Sequence, residues 1–290
     1  MTSAWARRRA LATTVLWLVG SACSPGRMER PNIVLIVLDT VRADRIACYG
    51  YERPTSPRID ELAARGIRFE NASSTSSWTL PAHASLFTGV YPIDHGATQE
   101  HPRLEADKRT LAEILGGYGY ATLAVSANPL VGSVTGLRRG FHRYTETWRG
   151  TGAAAGDDPR AHPNLRAARS LLQEKESGQP FFLFLNFMEA HSPYTPREPY
   201  RSRFLSHAES DPLVASAENR RVADFYLSPE SVPRRELDIL SDLYDAEIAE
   251  VDELVGVFVD ELEALGALEN TLVVITSDHG ENFGDHGHFR

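Results

Sequence analysis

Thr79 sits in the stretch Ser77-Trp78-Thr79-Leu80-Pro81-Ala82-His83-Ala84-Ser85-Leu86-Phe87-Thr88-Gly89, at the start of what reads as a helix. A threonine there has two available roles. Its hydroxyl can cap the helix by accepting a backbone N–H, or it can act as a nucleophile once a divalent cation lowers its pKa. Pro81 suits the first turn, because its missing N–H would have had no helical partner. The remaining N–H groups of that turn suit an anionic ester. His83 follows Thr79 by four residues, so it shares a helix face and can reach the same oxyanion, and His83 or a histidine near the C-terminus could protonate a leaving group. Other groups of the right chemistry recur along the chain: Asp39 in Leu38-Asp39-Thr40, Glu189 and His191 in Met188-Glu189-Ala190-His191-Ser192-Pro193-Tyr194, and Asp278 and His279 in Ser277-Asp278-His279-Gly280-Glu281. Two carboxylates and an imidazole make a hard to borderline divalent-metal site, to which the Thr79 oxygen would add a ligand. Taken by itself, the local stretch around Thr79 favours the cap.

These residues are far apart in the chain, so the fold must gather them. Four short, nearly unbroken apolar runs read as buried parallel strands: residues 32–38 (NIVLIVL), 120–125 (YATLAV), 181–187 (FFLFLNF) and 271–276 (TLVVIT). Helical patterns at 57–65, 108–116 and 163–176 alternate with them, which predicts a doubly wound α/β domain. In such a sheet, ligands sit beyond the carboxyl ends of the strands, where Asp39, His191, Asp278 and His279 fall. Tyr244, Ile248, Val251, Leu254, Val255, Phe258, Leu262 and Leu265 recur every three or four positions and predict a long amphipathic helix before the last strand, with its acidic residues as a solvated face. Residues 149–163 and 197–233 read as loops.

With 290 residues, 42% of them hydrophobic, the chain can bury a large core. Its formal charge is −9, and no arginine-rich face interleaved with aromatics is present, which argues against nucleic acid as a partner. Lys108 and Lys175 are the only lysines, so few roles can be given to a catalytic lysine. Arg7, Arg8 and Arg9, then the apolar run from Leu11 to Val19, then small residues before Cys23 predict an export signal over residues 1–22. The run is shorter than the roughly 20 residues that span a bilayer. Gly20-Ser21-Ala22-Cys23 is similar to a lipoprotein cleavage site, with Gly20 where leucine is usual. An acylated Cys23 would be the chain's one link to a membrane, at the periplasmic or outer cell surface. It would also leave Cys48 with no disulfide partner.

Asp39 after a strand, Thr79-Leu80-Pro81-Ala82-His83 leading to Leu86-Phe87-Thr88-Gly89, then His191-Ser192-Pro193-Tyr194 and Thr276-Ser277-Asp278-His279-Gly280-Glu281, occur in the order and spacing of the sulfatase family of the alkaline phosphatase superfamily. The resemblance covers residues 31–290. It implies an α/β/α sandwich with a mostly parallel sheet, a single metal held by Asp39, Thr79, Asp278 and His279, and His191 binding the transferred group of a sulfate or phosphate ester. The substrate would be a small molecule or a glycan or lipid ester. Three departures qualify it. Thr79 and His83 stand at the first and last positions of the family's Cys/Ser-x-Pro-x-Arg motif, so formylglycine is not expected. Thr40 replaces the second of two successive aspartates, and Ser126-Ala127-Asn128 stands where sulfatases have Gly-Lys-Trp-His. A threonine nucleophile resembles instead the superfamily's phosphodiesterases and glycerophosphate transferases. A nitrogen ligand favours manganese or zinc over calcium. Glu189 with His191 offers a second metal site as an alternative. Because sulfatase-like domains normally continue beyond a segment such as Gly284-Asp285-His286-Gly287-His288, an incomplete domain is expected, and a silent, ligand-binding lipoprotein is the rival reading.

Overall fold

The computed structural model describes residues 30–149, 158–219 and 232–283. The leader, Cys23, His286 and His288 lie outside them. The fold from Asn32 onward is built on a five-stranded, all-parallel sheet in the order β3-β2-β4-β1-β5. Its strands are β1 (Asn32–Leu38), β2 (Ala121–Ser126), β3 (Arg143–Glu146), β4 (Phe181–Phe187) and β5 (Thr271–Ser277). The helices are α1 (Pro57–Arg65), α2 (Thr79–Thr88), α3 (Pro92–His95), α4 (Leu111–Gly117), α5 (Pro163–Glu174), α6 (Tyr200–Phe204), α7 (Pro212–Asn219) and α8 (Arg234–Ala264). The apolar runs became strands because each is covered on both sides. Val34 and Ile36 of β1 pack with residues of α5 and α8, while Leu35 and Val37 pack with residues of α2 and α4. Each fully buried Leu, Ile or Phe in these layers contributes about 2 kcal/mol.

Helix α4 starts at Leu111 rather than at Lys108. Thr110 and Glu113 form a reciprocal capping box there, with Glu113 N–H donating to Thr110 Oγ1 (3.2 Å) and Thr110 N–H to Glu113 Oε2 (2.8 Å). β3 was not expected, because Arg-Tyr-Thr-Glu is a short, polar edge strand with no apolar run to betray it. The expected loop at 197–233 contains α6 and α7. α6 has too little apolar pattern to be read alone, yet Tyr200 and Phe204 bury against Ala246 and Ala249 of α8. Arg201 ties it to Glu209 and Glu218.

The largest correction concerns α8, whose acidic residues form a solvated face only in part, with Asp238, Asp260 and Glu263 exposed. Glu236, Asp242, Asp245, Glu247, Glu250 and Asp252 are all buried. Asp252 accepts the N–H groups of Arg58 (3.0 Å) and Ile59 (2.8 Å), capping α1 in place of a side-chain cap of its own. Glu247 accepts from Thr195 N–H (2.6 Å) and Glu250 from Arg197 N–H (3.0 Å), while Asp245 pairs with Arg45 (3.1 Å) and Arg53 (2.6 Å). These carboxylates are buried because they satisfy main-chain donors and arginines of the loops that cross the helix. Among the described residues, no helix is long and apolar enough to cross a membrane.

Candidate active site

β1 makes its last sheet contact through Asp39, whose N–H donates to Phe187 O (2.9 Å). The chain then turns sharply, with Thr40 in the left-handed region at φ 60°. Thr40 N–H donates to Asp278 Oδ1 (3.1 Å), its hydroxyl donates to Ala190 O (2.7 Å), and its carbonyl accepts from the Tyr244 hydroxyl (2.7 Å). One residue therefore joins the ends of β1, β4 and β5 to α8.

The N-cap of α2 is Trp78, in extended conformation and without a side-chain cap bond, and Thr79 is the first helical residue. Its hydroxyl lies 3.2 Å from His279 Nε2. The cap favoured by the local stretch is thus replaced by a hydroxyl turned toward the strand ends, because the capping position is one residue earlier. His279 Nδ1 is 2.9 Å from Gly280 O. A carbonyl only accepts, so Nδ1 carries a proton, and Nε2 is the ring nitrogen that faces Thr79.

The two central carboxylates share one design. Asp39 Oδ2 accepts from Asn128 Nδ2 (2.7 Å) and Asn186 Nδ2 (3.4 Å), and Asp278 Oδ1 accepts from the N–H groups of Thr40 (3.1 Å) and His279 (2.8 Å). Their other oxygens, Asp39 Oδ1 and Asp278 Oδ2, are buried without a hydrogen-bond partner. Burial, and after it the neighbouring Asp278 carboxylate, push the Asp39 pKa above its ordinary value. Buried oxygens left unpaired in this way are costly unless a cation takes them. Asp39, Asp278 and His279 offer ligand atoms all within 4.8 Å of one another. Two carboxylate oxygens and an imidazole nitrogen therefore fit a divalent ion.

His83 shares the face of Thr79 but lies beneath it. Its ring is fully buried, edge-on to Phe87 and Phe184, with Nδ1 2.9 Å from Thr79 O and 3.5 Å from Asp278 Oδ2. That enclosure favours support of Asp278 and of the first turn of α2 over contact with a leaving group. His191 spends Nδ1 on Ser192 O (2.7 Å), which leaves Nε2 available. It lies close enough to Asp39 and Glu281 to lower the pKa of both carboxyls, although burial as the largest effect keeps each raised. Glu189 is engaged elsewhere, pairing with His162 Nε2 at 2.8 Å, and the Asp39, Asp278 and His279 group is the one cluster of three or more metal-compatible side chains among the described residues.

Asn128, Asn186 and Tyr244 were not recognised in sequence as parts of the site. Asn128 stood out only as the residue in place of the family's Lys-bearing segment. Asn186 did leave a signal, as the one strongly polar residue in Phe-Phe-Leu-Phe-Leu-Asn-Phe. A buried amide in such a strand needs a partner.

A parallel sheet between helical layers, with a nucleophile-type hydroxyl and an acidic metal-compatible cluster at its carboxyl edge, defines an alkaline-phosphatase-like α/β enzyme fold. The chain belongs to the sulfatase family, whose model, described as Sulfatase, matches residues 31–290. It is similar to an arylsulfatase of Clostridium perfringens, 23% identical over 90% of this chain and 65% of that protein. Among solved structures it is similar to the phosphonate monoester hydrolase of Agrobacterium radiobacter, with a TM-score of 0.69 at 21% identity over 90% of this chain and 64% of that one. It is also similar to the soluble domain of lipooligosaccharide phosphoethanolamine transferase A from Neisseria meningitidis, with a TM-score of 0.62 at 19% identity over 91% and 71% of the two chains. The chain spans between 51% and 65% of the length of the curated relatives it is compared with.

Proposed function

We propose that this chain carries the catalytic centre of a metal-dependent hydrolase that cleaves a sulfate or phosphate ester through a covalent intermediate on Thr79, with no formylglycine. The observation that carries the reading is the Thr79 hydroxyl directed at His279 beside the two orphaned carboxylate oxygens. Asp39, Asp278, His279 and Thr79 would hold one divalent ion, manganese or zinc by their donor set. When bound, that ion lowers the pKa of an adjacent alcohol and offsets negative charge on the transferred group.

In the first step Thr79 Oγ1 gives its proton to water and forms a bond to sulfur or phosphorus as the bond to the ester oxygen breaks, and that oxygen leaves with the electron pair and takes a proton from water. The first N–H groups of α2 and His191 would offset charge on the oxygens that gain it. In the second step water, or an acceptor alcohol, attacks the same sulfur or phosphorus, and Thr79 Oγ1 departs and regains a proton from the attacking group. His83 holds Thr79 and Asp278 in place from beneath. A phosphodiester, phosphonate or headgroup-transfer reaction is the second reading. It is favoured by Thr79 in place of a formylglycine precursor, and by Asn128 where sulfatases carry their lysine-bearing segment. The substrate is a small-molecule, glycan or lipid ester, and the protein is exported, with Cys23 as its lipid anchor.

Matched aryl sulfate, phosphate, phosphodiester and phosphonate esters test this directly. Turnover of at least one ester is expected, abolished by a chelator and restored by Mn2+. A folded chain that binds Mn2+ and turns over none of them would favour the silent, ligand-binding reading.

A further inference from the structure

We infer that Tyr244, in the middle of α8, is a positioning residue of the metal centre that acts through the main chain of Thr40. The inference rests on the reading of Asp39, Asp278 and His279 as a metal site, and it assigns a function to a side chain that the sequence presents only as a core position. Thr40 is the one non-glycine residue with positive φ among the described residues. A β-branched residue adopts that conformation only when its surroundings impose it. The left-handed turn brings Thr40 N–H to Asp278 Oδ1 (3.1 Å) immediately after Asp39. Together with His279 N–H (2.8 Å), Thr40 N–H occupies that oxygen and leaves Asp278 Oδ2 buried without a hydrogen-bond partner, like Asp39 Oδ1. The turn therefore helps to set which carboxylate oxygens remain for a cation.

Tyr244 holds this turn from both sides. Its hydroxyl donates to Thr40 O (2.7 Å) and accepts from Arg42 N–H (2.9 Å), so it spans the peptide units on either side of Val41. The side chain is fully buried, with the rings of Phe283 and Tyr194 at 4.9 and 5.6 Å from its own. It has no freedom to follow a relaxing turn. Without the hydroxyl, the carbonyl of Thr40 and the N–H of Arg42 lose a shared partner in a buried place, and the peptide can rotate toward an ordinary backbone conformation. Thr40 N–H would then leave Asp278.

Tyr244→Phe removes one oxygen and keeps the ring. Two measurements follow on the full chain. On the metal-free protein, amide exchange of Thr40 should be fast in Tyr244→Phe and protected in the parent, while the melting temperature falls by only about 3 °C. With Mn2+ as the probe, affinity should weaken by about 10-fold, the lower end of the range for removing an outer partner of a metal site, and the visible spectrum of the Co2+ form should shift. Glycine adopts positive φ without penalty. Thr40→Gly added to Tyr244→Phe should therefore recover most of the lost Mn2+ affinity. Unchanged Thr40 protection and an unchanged Co2+ spectrum in Tyr244→Phe would overturn the inference. So would a double variant no better than Tyr244→Phe, or failure of both Tyr244→Phe and the double variant to fold while Thr40→Gly folds, since each would show a role in packing alone. A parent that binds no Mn2+ but protects Thr40 only while Tyr244 keeps its hydroxyl would refute the metal reading and leave the positioning role of Tyr244 standing.

Discussion

Asp39 divides its two oxygens between two tasks. Oδ2 is saturated by the amides of Asn128 and Asn186, and Oδ1 is left facing the centre. Asn128→Ala would remove the shorter of the two bonds, between two buried side chains. The expected cost is about 1–3 kcal/mol of stability, for a buried carboxylate oxygen that loses a donor. Mn2+ affinity should also fall by about 10- to 100-fold, because the ligand carboxylate is freed to rotate. Denaturant melts and Mn2+ titration on the same sample separate the two effects, and a loss of stability with unchanged affinity would assign Asn128 to the fold. The candidate ligands themselves were legible in sequence, because Asp39, Thr79, Asp278 and His279 each sit in a short motif at a strand or helix end. Their supporters were not. Asn128 and Asn186 are separated from Asp39 by 89 and 147 residues, and only the folded sheet brings them together. The local stretch around Thr79 pointed to a cap because the chemistry of a capping threonine and of a nucleophilic one is the same hydroxyl. The direction of that hydroxyl depends on His279, 200 residues away.

At the scale of elements, the helices that frame the site were readable where their signals are local. α1 and α5 begin at prolines and follow the apolar period, and α8 announced itself by its spacing. The environment of its acids was not local information. A glutamate or aspartate on a helix reads as solvated unless one knows which loop donors cross it. Asp252 carries a measurable consequence. Burial raises its pKa to about 6, above the ordinary 3.8, against the opposing hydrogen bonds from Arg58 and Ile59. A carboxyl with a raised folded pKa keeps a proton that the unfolded chain has already released. Stability from this group is therefore present below about pH 4, is lost as pH rises to about 6, and changes little above it. The shift corresponds to about 3 kcal/mol across that window. Asp252→Asn abolishes the titration and leaves one α1 N–H without its acceptor. Its melts should show a shallower fall between pH 4 and 6 than the parent, at lower stability near pH 4. Identical pH slopes would show that Asp252 is not protonated in the folded state.

On the scale of the whole molecule, strand and helix alternation gave the α/β class, but not the strand order that sets β1 between β4 and β5. That order explains the convergence. β1 delivers Asp39, and its two neighbours deliver the Ala190 to His191 turn and the Asp278-His279 pair. Strand order is fixed by packing of distant segments, which no local pattern records. Export belongs to this scale as well. The cationic start and short apolar run lead to the expectation that the native protein begins at or near Cys23. Mass spectrometry of the membrane fraction would reveal its lipid, and a native chain that keeps Met1 would contradict export. Covalent modification of Thr79 Oγ1 is the central step of the proposed reaction. The most direct measurement is peptide mass analysis of the chain quenched during turnover of its best ester. A sulfo or phospho group is expected on Thr79, absent in Thr79→Ala, whose rate should fall by several orders of magnitude, while Thr79→Ser keeps substantial activity. A Thr79→Ala variant that turns over the same ester at the parent's rate, with no modified peptide in either, would contradict it.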